Sequence, residues 1–138
     1  MADKEIVIKR FIKNFIQEDR AERALFELSS PKKGSKFKNR LNHNWQQIFK
    51  MKNLLRVDKK DDFPGKIKEL LHFGDNEMCY LICNYDDFDD KLLSFCEAFE
   101  KIYPSGFASL LININADTLL LITEQEQGAA PKFIVKIK

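Results

Sequence analysis

Four aspartates in five positions form the densest group of chemically active side chains in the sequence: Asp86, Asp87, Asp89 and Asp90. Carboxylates this close together can hold a divalent cation or raise one another's pKa. The same residues are typical of a helix N-terminus, where aspartate caps backbone N–H groups and negative charge is favoured. Because the glycine and distant glutamate of a calcium-binding loop are missing, we predict the capping role. A metal site and an acidic patch that faces a partner stay open as alternatives.

The cysteines and histidines are the other candidates for metal binding or nucleophilic catalysis: Cys79, Cys83, Cys96, His43 and His72. They contain no Cys-x-x-Cys pair and no closely spaced histidine pair, so their spacing does not predict a zinc site. The sequence contains neither of the two glycine-rich motifs that bind phosphates, Gly-x-Gly-x-x-Gly and Gly-x-x-x-x-Gly-Lys-Ser/Thr. We therefore predict no catalytic residue, no metal and no cofactor, and we favour a chain that is not an enzyme. An odd number of cysteines predicts reduced thiols and a cytoplasmic protein.

Basic residues dominate the stretch from Lys32 to Lys60, where ten Lys and Arg residues meet one acid, Asp58. On a predicted helix from Ser35 to about Leu55, one face is apolar and the other is basic and rich in amides. The candidate contact residues are Lys32, Lys33, Lys36, Arg40, His43, Gln47 and Lys50. Such cations bind phosphates or a partner's carboxylates, and the amides and the histidine can reach bases.

Charge is divided unevenly along the chain, although the net charge is only +2. Residues 1–60 carry sixteen basic and seven acidic side chains, a net of +9, and residues 61–138 carry seven against fourteen, a net of −7. This asymmetry indicates an anionic partner or internal pairing between the halves. Three interpretations of the basic stretch therefore remain open: a solvated or internally paired surface, an acidic protein partner, and a nucleic acid.

The spacing of apolar residues predicts helices first and strands later. Ile8, Phe11 and Phe15 mark one helical stripe, and a break near residues 17–19 separates it from a second helix. Residues 77–84 are apolar on both faces and predict a buried strand, and residues 118–123 predict a central one. The chain is thus predicted to be α+β, with N-terminal helices packed on a largely antiparallel sheet of about four strands that includes one strand-helix-strand unit.

With 138 residues, the chain fits a single domain, 1–138, with a mainly helical basic half (1–72) and a sheet-containing acidic half (77–138). Its apolar runs are too short to cross a membrane. Lysines alternate with apolar residues in 132–138, a pattern that predicts an edge strand. Trp45 lies on the predicted core stripe of its helix.

Three stretches carry a resemblance to other proteins: residues 20–33, residues 36–43, and the late pattern made of 79–82, 119–123 and 128–134. They resemble small bacterial proteins of unknown function, which implies a bacterial origin and transfers no catalytic residue. From the charge patches we predict a small cytoplasmic binding module that engages a protein partner, as a bacterial immunity protein does. Nucleic-acid binding through residues 32–60 is the alternative, and a homodimer is a further option.

Overall fold

A six-stranded antiparallel sheet lies between two layers of helices, which confirms the predicted α+β class. The computed structural model describes residues 4–29, 34–50, 54–83, 89–103, 108–123 and 131–136, without the side chains of 34–36, 39 and 42–44. The helices are α1 (Lys4–Phe15), α2 (Glu18–Ser29), α3 (Gly34–Ile48), α4 (Pro64–Leu71) and α5 (Phe95–Ile102). The strands are β1 (Leu54–Arg56), β2 (Met78–Ile82), β3 (Lys91–Ser94), β4 (Ser109–Asn113), β5 (Thr118–Ile122) and β6 (Lys132–Lys136). Their order across the sheet is β1-β6-β5-β4-β2-β3.

The central strands are apolar on both faces because each face meets a helical layer. Alternate residues such as Tyr80 and Leu110 point toward the core shared with α1, α2 and α3. Their neighbours, such as Leu81 and Leu111, join the core shared with α4 and α5. The predictions of a buried strand near residues 77–84 and a central strand near 118–123 are therefore confirmed.

The first helical stripe ends where it was predicted to end, because α1 stops at Phe15 and α2 begins at Glu18. The junction is held by the end of α3. Gln17 N–H donates to the Ile48 carbonyl at 2.9 Å, and Lys50 N–H donates to the Phe15 carbonyl at 2.7 Å. These backbone bonds align the three N-terminal helices over one face of the sheet.

The sheet has two more strands than the roughly four predicted, because two short strands border it. β1 follows α3, which ends at Ile48 rather than near Leu55, so the helical half also contains a strand. Residues 91–94 were expected to lie in a helix. They form the strand β3 instead, which pairs with β2. The helix α5 then begins at Phe95, with the Ser94 hydroxyl accepting the Glu97 N–H at 3.3 Å. The expected strand-helix-strand unit yields no parallel pair, since β2 and β4 are antiparallel.

The prediction that residues 132–138 form an edge strand is also wrong for the described part. β6 lies between β1 and β5, and Lys132 is only 3% exposed. Its ammonium lies 2.9 Å from an Asp62 carboxylate oxygen and 4.8 Å from the centre of the Tyr103 ring. The Tyr103 hydroxyl donates a hydrogen bond to the Asp62 carbonyl at 2.9 Å. The buried Lys132 ammonium is therefore surrounded by residues from two other segments of the chain.

A helix that crosses a membrane has to be long and apolar. Within the ranges that the structure describes, no helix is long and apolar enough to cross a bilayer.

Candidate protein-binding surface

The basic segment 32–60 spans α3, β1 and the start of a short 3₁₀ turn (Lys59–Asp61). Lys32 and Lys33 lie outside the described residues, and Lys36 and His43 lie on α3 with side chains that are also outside them. Arg40, Gln47 and Lys50 can be located, and their surroundings differ. The described basic residues therefore have to be considered one at a time.

Arg40 points inward, against the neighbouring helix. Its two terminal guanidinium nitrogens donate to the two carboxylate oxygens of Glu27 on α2, one of them at 2.8 Å. The Glu27 side chain is 3% exposed, and the Arg40 side chain is 18% exposed. A bidentate pair this deeply covered joins α3 to α2 and leaves little of Arg40 for an outside ligand.

Lys38 is paired with the acidic cluster. Its ammonium lies 2.5 Å from a carboxylate oxygen of Asp89, and both side chains are 18% exposed. The other Asp89 oxygen accepts the Cys83 backbone N–H at 3.0 Å. Asp89 therefore anchors α3 to the end of β2, and this contact joins the basic half of the chain to the acidic half.

Asp90 is held between a helix and the sheet. Its carboxylate accepts a hydrogen bond from the Tyr80 hydroxyl and lies 3.0 Å from the Lys4 ammonium at the start of α1. Burial, followed by this hydrogen bond and the nearby carboxylates, raises the pKa of Tyr80 far above its ordinary value. Lys4, Leu28 and Asp90 line a cavity of about 270 Å³ at this corner. Asp86 and Asp87 lie outside the described residues.

The two acidic residues of this cluster that the structure describes, Asp89 and Asp90, do not cap the following helix, contrary to the prediction. Asp89 and Asp90 precede β3, and Ser94 caps α5. They bind lysines of two different N-terminal helices instead. The sequence signal that could have shown this is the apolar pair Leu92 and Leu93, which continues a strand pattern before the helix starts.

Lys50 and Gln47 lie at the end of α3. The Lys50 ammonium donates to the Lys13 carbonyl at 3.1 Å, and Gln47 is exposed. Lys50 is therefore partly engaged within the protein, whereas Gln47 faces solvent.

Three further cations of the basic segment are exposed, and the sequence interpretation did not single them out: Arg56, Lys59 and Lys60. Within the described part of the chain, none of them forms an ion pair. Arg56 is the last residue of β1, and the two lysines follow it in the 3₁₀ turn. β1 is the terminal strand on its side of the sheet, and the side chain of Leu55 in its centre is 49% exposed.

Trp45 lies beside this strand rather than fully inside the core. It is half-buried, and its ring centre lies 4.7 Å from that of Phe133 on β6. The Arg56 guanidinium lies 5.8 Å from the centre of the same Phe133 ring. Trp45 and Arg56 thus lie on one face of this border of the sheet and the exposed Leu55 on the other, and tryptophan and arginine are enriched where proteins bind one another. We call Trp45, Leu55, Arg56, Lys59 and Lys60 the β1 surface.

The cysteines do not form a reactive site among the described residues. Cys79 and Cys83 are buried on the α4/α5 side of the sheet, where a buried strand was predicted, whereas Cys96 is only half-buried. Burial, followed by the charge of Glu77, raises the pKa of the Cys79 thiol to about 12. The described residues contain no group of three or more metal-ligating side chains.

Comparison of the chain with protein-family models, with curated proteins and with solved structures found no match. The resemblance to small bacterial proteins therefore stays a prediction.

Proposed function

We propose that this chain is a non-enzymatic module that binds an acidic protein partner through the basic segment 32–60, mainly at the β1 surface. One observation carries the proposal: the cations near the middle of α3 are engaged inside the protein, while Arg56, Lys59 and Lys60 are exposed beside Leu55 and Trp45. Exposed cations beside one exposed apolar residue suit a partner whose carboxylates lie beside an apolar residue.

A bacterial, cytoplasmic immunity-protein-like role belongs to the proposal, since such a protein occludes a toxin by charge and shape. The three cysteines, which form no disulfide among the described residues, support a reducing compartment. The charge asymmetry between residues 1–60 and 61–138 supports electrostatic steering of an anionic partner.

Nucleic-acid binding is the second candidate. Nucleic-acid binding is favoured by the half-buried Trp45, which is followed in α3 by the exposed Gln46 and Gln47. Aromatic and amide groups can contact unpaired bases. The two candidates differ in the probe that should bind.

The test is fluorescence anisotropy of the full chain against labelled poly-L-glutamate, single-stranded RNA and duplex DNA at roughly 50 and 200 mM salt. We expect poly-L-glutamate to bind more tightly than either nucleic acid and to be released by salt. The double variant Lys59→Glu/Lys60→Glu should weaken that binding about tenfold or more. The matched control Lys9→Glu/Lys13→Glu changes the same charge at two exposed residues of α1 and should leave affinity within about twofold.

Equal weakening by the two double variants would show a generic charge effect and overturn the proposal. Tighter binding of RNA or DNA than of poly-L-glutamate, lost in Lys59→Glu/Lys60→Glu, would replace it with the second candidate. No binding of any probe at the lower salt would overturn both.

A further inference from the structure

The border strand β1 has one hydrogen-bonding edge that faces away from the sheet. It pairs with β6 in the register Leu54 to Val135, Leu55 to Ile134 and Arg56 to Phe133. The Val57 N–H donates to the Lys132 carbonyl at 2.9 Å, one step further along. Because hydrogen-bonded and non-hydrogen-bonded pairs alternate in an antiparallel ladder, Leu55 also bonds toward β6. The backbone N–H and C=O groups of Leu54 and Arg56 therefore point outward, and no described strand pairs with them.

The side chains on the two faces of β1 differ in chemical character. Side chains alternate across the sheet, so Leu54 and Arg56 lie on the face of α3 and Trp45, while Leu55 lies on the opposite face. An added strand would place alternate side chains next to Arg56 on one face and next to Leu55 on the other. The edge thus fits an extended segment in which acidic and apolar residues alternate.

The opposite border of the sheet is less suited to such a ligand. β3 follows directly on Asp89 and Asp90, and the lysines that contact these carboxylates, Lys38 and Lys4, are already engaged in those ion pairs. β1 is followed instead by Lys59 and Lys60, both exposed. Charge therefore selects β1 rather than β3.

From this arrangement we infer that the acidic partner docks on β1 as an added β-strand, with alternating acidic and apolar residues. This inference rests on the proposed function and specifies how the partner binds. Backbone hydrogen bonds to Leu54 and Arg56 supply affinity, and the alternating side chains supply specificity, as in other cases of strand addition.

The test uses a short peptide in which Glu and Leu alternate, together with the same peptide N-methylated on the backbone edge that would face β1. Hydrogen exchange of the ¹⁵N-labelled full chain reports on the edge directly. In the free protein the Leu54 and Arg56 amides should exchange faster than those of Leu55 and Val57, and the unmethylated peptide should slow them at least about tenfold.

Two variants separate the contribution of the Arg56 backbone N–H to binding from the contribution of its positive charge. Arg56→Ala removes the cation, and Arg56→Pro removes both the cation and the outward N–H without deleting a bond to β6. We expect Arg56→Pro to bind the peptide about fivefold more weakly than Arg56→Ala. Circular dichroism and exchange of the β6 amides check that both variants keep the sheet.

The outcomes distinguish this inference from the proposed function. If both peptides bind equally, Lys59→Glu/Lys60→Glu weakens both, and the Leu54 and Arg56 amides stay unprotected, strand addition is wrong and the acidic-partner proposal stands. If poly-L-glutamate and both peptides fail to bind, the proposed function fails first. Equal affinity of Arg56→Pro and Arg56→Ala also overturns strand addition.

Discussion

Arg40 and Glu27 form a two-pronged ion pair that joins α3 to α2, with the glutamate almost fully covered. Arg40 belongs to the basic segment 32–60, whose composition indicated either an anionic partner or internal pairing. A buried carboxylate on the adjacent helix provides an anion inside the protein instead. Arg40 therefore contributes to the docking of the helical layer, and its substitution has to be interpreted first as a change in stability.

Replacing Arg40 by Ala should lower the free energy of unfolding by roughly 3 kcal/mol, because the buried Glu27 carboxylate would keep only the largely exposed Arg23 as an ionic partner. Arg23 offers a matched control, since it lies 3.4 Å from the same carboxylate but its side chain is 66% exposed. Arg23→Ala should cost less than roughly 1 kcal/mol. Urea denaturation of both variants measures the difference, and equal losses would contradict the assignment.

The two lysines that bind the acidic cluster should differ in the same way. Lys38 and Asp89 are largely covered, whereas Lys4 and Asp90 are 46% and 41% exposed. We expect Lys38→Met to lower the free energy of unfolding by roughly 1 to 2 kcal/mol and Lys4→Met by no more than about 0.5 kcal/mol. Thermal or urea unfolding checks this order. A larger loss for Lys4→Met would show that exposure does not govern these contacts.

Stability should fall in alkaline solution. The pKa of Cys79 is raised from 9.0 to about 12, and that of Tyr103 from 10.0 to about 12, chiefly by burial. Between about pH 9 and 12 the unfolded chain releases protons that the folded chain keeps, so the free energy of unfolding decreases as pH rises. Cys79→Ala should flatten this decrease between pH 9 and 10, the range below the ordinary pKa of Tyr103. Urea unfolding across this range tests it, and an unchanged slope would be inconsistent with a raised Cys79 pKa.

The thiols should react at different rates. Cys79 and Cys83 are buried in the sheet, while Cys96 is partly exposed on α5. A thiol reagent should modify one cysteine of the native protein quickly and all three only after denaturation. Cys96→Ser should abolish the fast phase. A fast phase that persists in this variant would mean that the sheet opens readily around Cys79 or Cys83.

Most of the helical layer could be predicted because its signals are local. The break after Phe15 follows from two apolar stripes on opposite sides of one continuous helix, which cannot both face the same sheet. The positions of β2 and β5 could be predicted from short runs of residues that are apolar on both faces of a strand. These features depend on neighbouring residues alone.

The border strands could not be predicted with the same means. β1 has three residues and β3 has four, too few for a periodic pattern. β1 exists through pairing with β6, which is distant in sequence, and β3 through pairing with the preceding strand β2. Lysine alternation in β6 is typical of an edge, yet Lys132 is neutralised by Asp62, seventy residues away. Pairing partners of that separation leave no local signal.

The candidate site shows the same division. Amino-acid composition alone determined that residues 32–60 are basic and that the chain has opposite charge in its two halves. Only the tertiary structure decided which charges are available, because it brings Glu27 to Arg40 and Asp89 to Lys38 and leaves Arg56 at the border of the sheet. The physical reason is that charge is a property of single residues, whereas its availability to a ligand depends on burial and on partners that folding brings together.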